Sequence, residues 1–163
     1  AVLMFAASAL YHLRRTSPRQ RLYQRLDHAM IYLLIAGTWV PVCLLVLPDP
    51  AGTLFLVGNA VAAAVGITLK LCGVHRFPRS SNTIYGVMGG AALLALPVIV
   101  GEIELAALGL MAFGGLVYAV GAMVLLMKRP DPRPTIFGYH EIGHGCTVAA
   151  AGCHFTMVWL LVA

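Results

Sequence analysis

Long apolar segments, separated by short polar links, are the feature that most constrains how this chain can fold. A membrane-spanning helix needs about 20 apolar residues to cross about 30 Å of hydrocarbon. Six segments occur, at residues 1–13, 26–47, 51–71, 83–100, 105–127 and 137–162. The last five reach or approach the spanning length. The pattern predicts an all-α, polytopic transmembrane helical bundle in which residues 1–163 form a single domain.

The composition supports this class. Hydrophobic residues make up 60% of the chain and charged residues 10%, with a mean hydropathy of +0.87. A soluble domain is about 25% charged. The high pI of about 9.3 therefore does not indicate a nucleic-acid partner, because basic residues beside membrane spans have another explanation. The four cysteines show no C-x-x-C spacing and are expected to be free thiols.

The positive charges predict the orientation in the membrane. All eleven Lys and Arg residues lie at the first, third and fifth links, whereas the charged residues of the second and fourth links are all acidic. The basic residues are Arg14, Arg15, Arg19, Arg21, Arg25, Lys70, Arg76, Arg79, Lys128, Arg129 and Arg133. Because Lys and Arg favour the cytoplasmic side, these links are expected to lie on the cytoplasmic side of the cell membrane. The C-terminus is then expected outside. His75, in the third link, is expected to be solvated.

Small residues and prolines predict how the helices pack. Gly86 and Gly90 form a G-x-x-x-G pair, and other glycines add small surfaces where membrane helices can approach closely. They are Gly89, Gly114, Gly115 and Gly121. Pro41 and Pro97 are expected to kink their helices, since proline removes a backbone hydrogen bond.

The string FGYHEIGHG contains two histidines four residues apart, His140 and His144. On a helix this spacing places both imidazoles on one face. The string also fits H-E-x-x-H, in which Glu141 would be the general base of a zinc protease. Other polar residues, on two further helices, are expected at the same cytoplasmic end. They are His12, Asp27 and His28.

These residues predict a zinc site. A catalytic zinc uses three protein ligands and keeps a position for water, and His12 could complete the His140–His144 pair. Ser8, one turn before His12, could hydrogen-bond to the site, and Asp27 could hold or deprotonate a water. Simpler interpretations stay open: the histidines could be solvated at the headgroup level, and Asp27 could be a helix N-terminal residue favoured by the dipole.

Two further histidines are not expected to be ligands. His28 points about 100° away from Asp27 around the helix, and it is interpreted as a neighbour of the site. His154 lies about 15 Å beyond His144 along the same helix, so it is interpreted as a structural or packing residue.

The chain resembles the hemolysin III-type proteins, the bacterial branch of the progestin and adipoQ receptor family. The matching strings are SALYH, LDHAMIYLLIAGTWVP, GGLVYAVGA, KRPDPRP, FGYHEIGH and AAAGCHF. The resemblance implies seven transmembrane helices, an inside N-terminus and a zinc ion near the cytoplasmic face. It also implies that this chain begins within the second family helix, so the first helix is missing.

The resemblance also implies the roles of individual residues. Zinc would be bound by His12, His140 and His144, with Asp27 touching it through water and Ser8 nearby. Glu141 would not be a general base; it would be a polar anchor at the inner end or would bond to a neighbouring helix. Gly143 departs from the family, which usually carries a bulky aromatic there, so looser local packing is expected.

Three functions are compatible with these features. The first is a zinc-dependent hydrolase acting on a lipid amide or ester in membrane lipid homeostasis, because the adiponectin receptor members of the family resemble ceramidases. The second is a membrane receptor or sensor in which zinc only ties helices together. The third is pore formation, which the family name suggests but which no polar stripe along the spans supports.

Overall fold

The computed structural model describes residues 1–14, 16–73, 78–133 and 137–163, without the side chains of 78–82. Arg15, His75 and Arg76, which the sequence placed in cytoplasmic links, lie outside the described residues. Within those ranges the chain is all-α. Its six helices are α1 (Val2–Leu13), α2 (Gln20–Leu45), α3 (Ala51–Gly73), α4 (Pro78–Ile99), α5 (Leu105–Met127) and α6 (Tyr139–Val162). The predicted fold class is confirmed.

Four of the described helices, α2, α3, α5 and α6, are long and apolar enough to cross a membrane. The apolar part of α4, Thr83–Ile99, and α1 are shorter. The length and apolar composition of these helices fit a multi-pass protein in a lipid bilayer.

Helices α2 and α4 begin earlier than predicted. The apolar segments begin at Leu26 and Thr83, but the helices begin at Gln20 and Pro78. The first turns of both helices are polar, so the start of the apolar segment lies later in the chain than the start of the helix. Proline is favoured in the first turn because its missing N–H has no partner there in any case.

The helices continue through both internal prolines. Pro41 lies inside α2 and Pro97 lies inside α4. The predicted kinks at these two positions stay predictions.

The described residues form two compact units, Ala1–Val98 and Ile99–Ala163, here called the N-terminal and C-terminal units. The single-domain organisation stays a prediction. In the N-terminal unit, α2 packs against α1 and α3. Its centre is a core of Tyr32, Ala63 and Met88, from α2, α3 and α4. Gly66 lets this core close, because a Cβ there would overlap the ring of Tyr32.

In the C-terminal unit, α5 packs along α6, and glycines again set the spacing. A Cβ at Gly114 would lie 2.5 Å from Cδ2 of His154, and one at Gly121 would lie 2.7 Å from Cβ of Cys146. The small-residue prediction therefore holds for Gly114 and Gly121. It does not hold for the other glycines, where a Cβ would meet no atom of the described residues within 4 Å; they are Gly86, Gly89, Gly90 and Gly115.

The four cysteines, Cys43, Cys72, Cys146 and Cys153, are free thiols, as the sequence predicted.

Candidate metal centre

His140 and His144 lie side by side at the start of α6. Their Nε2 atoms are 3.1 Å apart, and their rings meet edge to face with centroids 4.6 Å apart. Both side chains are half-buried. The i,i+4 spacing therefore does what the sequence predicted, since it brings two imidazole nitrogens to one point on one helix.

Glu141 caps the helix that carries this pair. The backbone N–H of Gly138 donates to Oε2 of Glu141 at 2.9 Å, and the N–H of Tyr139 donates to Oδ1 of Asp131 at 3.2 Å. The first N–H groups of a helix have no partner within it, so the two carboxylates satisfy two of them. Glu141 thus bonds to the start of its own helix. This position agrees with a polar anchor and differs from the neighbouring-helix bond considered as an alternative.

Ser8 and His12 lie on α1. Ser8 is buried, with 6% of its surface exposed, and His12 is half-buried in the last turn, its ring 5.0 Å from that of Tyr11. His12 belongs to the N-terminal unit, whereas His140 and His144 belong to the C-terminal unit. Each of the three offers one ring nitrogen that could bind a metal ion.

Asp27 ends the second turn of α2 and His28 begins the third, and both are half-buried. The backbone carbonyl of His28 accepts a hydrogen bond of 2.7 Å from the hydroxyl of Tyr85. Asp27 is therefore not at the first turn of its helix, where the dipole interpretation would place it, because α2 begins at Gln20.

Sequence reasoning missed Lys70 and Tyr85. The charge pattern assigns Lys70 to a link, but it lies within α3 with 5% of its surface exposed, and its Nζ is 5.4 Å from the centroid of the Tyr85 ring. The sequence did carry an indication of this, because Lys70 falls within an apolar segment and an ionisable residue inside a membrane helix is rare and costly. Tyr85 carried no comparable signal, since tyrosine is common in such segments.

Comparison with known proteins places the chain in a family. A family model described as "Haemolysin-III related" matches residues 1–155. The chain belongs to the hemolysin III family. Hemolysin-3 of Bacillus cereus is 33% identical over 127 residues, which cover 78% of this chain and 58% of that protein. The hemolysin-3 homolog of Bacillus subtilis (strain 168) is 29% identical over 157 residues, which cover 96% of this chain and 71% of the homolog. The chain therefore matches less than two thirds of the B. cereus relative.

Two further residues of this hemolysin III family member bear on how α6 packs. Gly143, between the histidines, is buried, and a Cβ there would lie 2.6 Å from Cγ of Leu125. Leu125 fills the space, so the expected loosening is not seen. His154 lies with Nε2 3.3 Å from the carbonyl oxygen of Met111 and its ring centroid 5.5 Å from that of Tyr118. These contacts agree with the packing role predicted for it.

Proposed function

We propose that this hemolysin III protein is a zinc-dependent membrane hydrolase that cleaves an amide or ester bond of a lipid. The observation that carries the proposal is the His140–His144 pair, with its two Nε2 atoms 3.1 Å apart on an apolar helix long enough to span a membrane. Membrane lipid is the proposed substrate class, because lipid molecules surround a site on a membrane-spanning helix.

The donor set suits zinc. Structural and catalytic zinc sites are tetrahedral, with Zn–N distances of about 2.0–2.1 Å, which separates two ligand nitrogens by roughly 3.3 Å. The distance within the pair is close to this value. His12 is proposed as the third ligand, which leaves the fourth position of a catalytic zinc site open. Imidazole is also a ligand that zinc binds readily.

Zinc bound here would supply Lewis-acid activation of a carbonyl and of water at neutral pH. The chain's own residues would do the rest. Asp27 would hold a water molecule and accept its proton at a carboxylate oxygen. Ser8 would donate a hydrogen bond from its hydroxyl. By the positive-inside argument these groups would lie near the cytoplasmic face of the cell membrane, with the C-terminus outside, and a lipid carbonyl would enter from the inner leaflet.

Metal analysis of purified protein tests the ligands. Wild-type protein is expected to hold about one zinc per chain, and His140→Ala, His144→Ala and His12→Ala are each expected to lose it. His154→Ala is the matched control, because His154 lies on the same helix as the pair but bonds to Met111 instead. Unchanged zinc in the three ligand variants would overturn the site.

Turnover separates a hydrolase from a receptor. Zinc-loaded wild-type protein is incubated with a broad membrane lipid extract, and released fatty acids are measured beside Asp27→Asn. The proposal expects release by wild type and at least a hundredfold less by Asp27→Asn, with zinc retained in both. If zinc-loaded wild type releases nothing while zinc removal lowers its melting temperature, zinc ties helices together and the protein is a receptor or sensor.

A further inference from the structure

Tyr85 joins three helices of the N-terminal unit. Tyr85 lies on α4, and its hydroxyl donates a hydrogen bond of 2.7 Å to the carbonyl oxygen of His28 on α2. Its ring stacks on that of Tyr32, also on α2, with centroids 4.1 Å apart and planes 25° apart. Lys70 of α3 places its ammonium 5.4 Å from the centre of the same ring. One side chain thus carries a hydrogen bond, a ring stack and a cation–π contact.

The neighbours of Tyr85 have little freedom to move. Tyr32 is fully buried, and its ring lies against Gly66, where even a methyl group would overlap it. Lys70 is also buried. At the same end of α2, Nη1 of Arg25 donates 2.9 Å to the carbonyl oxygen of Leu71, one of the last carbonyls of α3, which have no partner within their helix. Tyr85 is therefore held by a packed core and passes that rigidity to the backbone of His28.

We infer that Tyr85 is a positioning residue, which fixes the turn of α2 that carries Asp27 for the lipid hydrolysis proposed above. The inference rests on that proposed function, because Asp27 is the residue whose placement it explains. The hydrogen bond ends on the peptide group that follows Asp27 by one residue. A shift of the α2 backbone there moves the Asp27 carboxylate with it, and misplacements of about 1 Å can cost a hundredfold in rate.

A second hydrogen bond between the same two helices provides the control. Nε1 of Trp39 donates 3.3 Å to the carbonyl oxygen of Met88, so it also joins α2 to α4. Trp39 lies twelve residues, about 18 Å of helix, beyond Asp27. Tyr85→Phe removes the hydrogen bond to His28 and Trp39→Phe removes the one to Met88, and both variants keep an aromatic ring. Only the first removes a bond beside Asp27.

The experiment compares these two variants with wild type in zinc content, in kcat and KM for lipid release, and in amide hydrogen exchange. We expect zinc and KM to stay within twofold in both. Tyr85→Phe is expected to lower kcat about tenfold and to raise exchange at the amides of residues 27–32 at least tenfold. Trp39→Phe is expected to change neither. Lys70→Met should shift exchange in the same direction as Tyr85→Phe, because it removes a contact to the same ring.

Lipid release tests the proposed hydrolase, whereas amide hydrogen exchange tests the positioning role of Tyr85, so the two can fail separately. If zinc-loaded wild type releases no lipid product, the proposed hydrolase is wrong, while a rise in exchange confined to Tyr85→Phe still shows that Tyr85 holds this turn. If exchange at residues 27–32 is the same in Tyr85→Phe and wild type, the inference is overturned whatever the turnover. It is equally overturned if Trp39→Phe lowers kcat as much as Tyr85→Phe.

Discussion

Buried or half-buried polar rings occur in both units, but the hydrogen bonding of their polar atoms differs between the units. In the N-terminal unit, the hydroxyl of Tyr85 and Nε1 of Trp39 each donate to a backbone carbonyl of another helix. In the C-terminal unit, Nε2 of His154 also lies 3.3 Å from a carbonyl oxygen of another helix, that of Met111. Nδ1 of His154 and the hydroxyl of Tyr118, however, are buried with no hydrogen-bond partner among the described residues.

The difference separates two ways of joining membrane helices. Hydrogen bonds to fixed carbonyls set the register of α2 against α4. Between α5 and α6, close approach at Gly114 and Gly121 accompanies the hydrogen bond between His154 and Met111. Polar contacts between membrane helices are worth about 0.6 kcal/mol on average, with packing at small residues as the other main source. The distinction is not absolute, because Asn59 of the N-terminal unit donates from Nδ2 within its own helix, to Phe55, and its Oδ1 has no partner among the described residues.

The largest effect is expected at Gly66. Gly66→Ala places a methyl group on the ring of Tyr32, which is buried and stacked on Tyr85. Overpacking of this kind costs about 3 kcal/mol, measured as the free energy of unfolding in detergent. Gly58→Ala on the same helix is the control, because a Cβ there meets nothing within 4 Å. Equal stability of the two variants would mean that the core can open around Tyr32.

Gly114 tests whether the C-terminal unit is softer. Gly114→Ala brings a Cβ to 2.5 Å from Cδ2 of His154, whose ring is held by one bond of 3.3 Å. Because that ring has more freedom to shift than Tyr32, we expect a loss of about 1.5 kcal/mol in the same unfolding measurement. A loss as large as that of Gly66→Ala would remove the contrast between the two units.

A hydrogen bond is removed by Trp39→Phe. The indole N–H then no longer reaches the carbonyl of Met88, and the loss is expected to be about 1 kcal/mol. Thermal unfolding in detergent detects it as a lower melting temperature than that of wild type. An unchanged melting temperature would show that the bond between α2 and α4 adds nothing to stability.

The smallest effect is expected for Tyr118→Phe. It removes a hydroxyl that is buried without a partner in the described residues and keeps the ring beside His154. Deleting an unsatisfied polar atom removes its desolvation cost, so stability is expected to stay unchanged or to rise by about 0.5 kcal/mol. A loss of 1 kcal/mol or more would indicate a bonded hydroxyl and would make the two units alike.

The sequence predicted what depends on periodicity and failed where distant segments meet. The spacing of His140 and His144 predicted a shared face, and their Nε2 atoms lie 3.1 Å apart. The bond from Tyr85 to His28 joins residues 57 apart, and no local pattern encodes such a pairing. The charge pattern assigned Lys70 to a polar link, but it is buried within α3. An aromatic ring, here that of Tyr85, can stabilise a buried ammonium group, and the sequence alone does not show that contact.

The cap on α6 also sets a rotational phase. Each residue of an α-helix turns the chain by 100° and advances it by 1.5 Å. The bond from Gly138 to Glu141 defines where the first turn begins, and the two imidazoles follow in that same turn and the next. A start displaced by one residue would swing both of them a quarter-turn or more around the axis. Glu141, which makes the string resemble a protease motif, therefore sets the direction in which the histidine pair points around the helix axis.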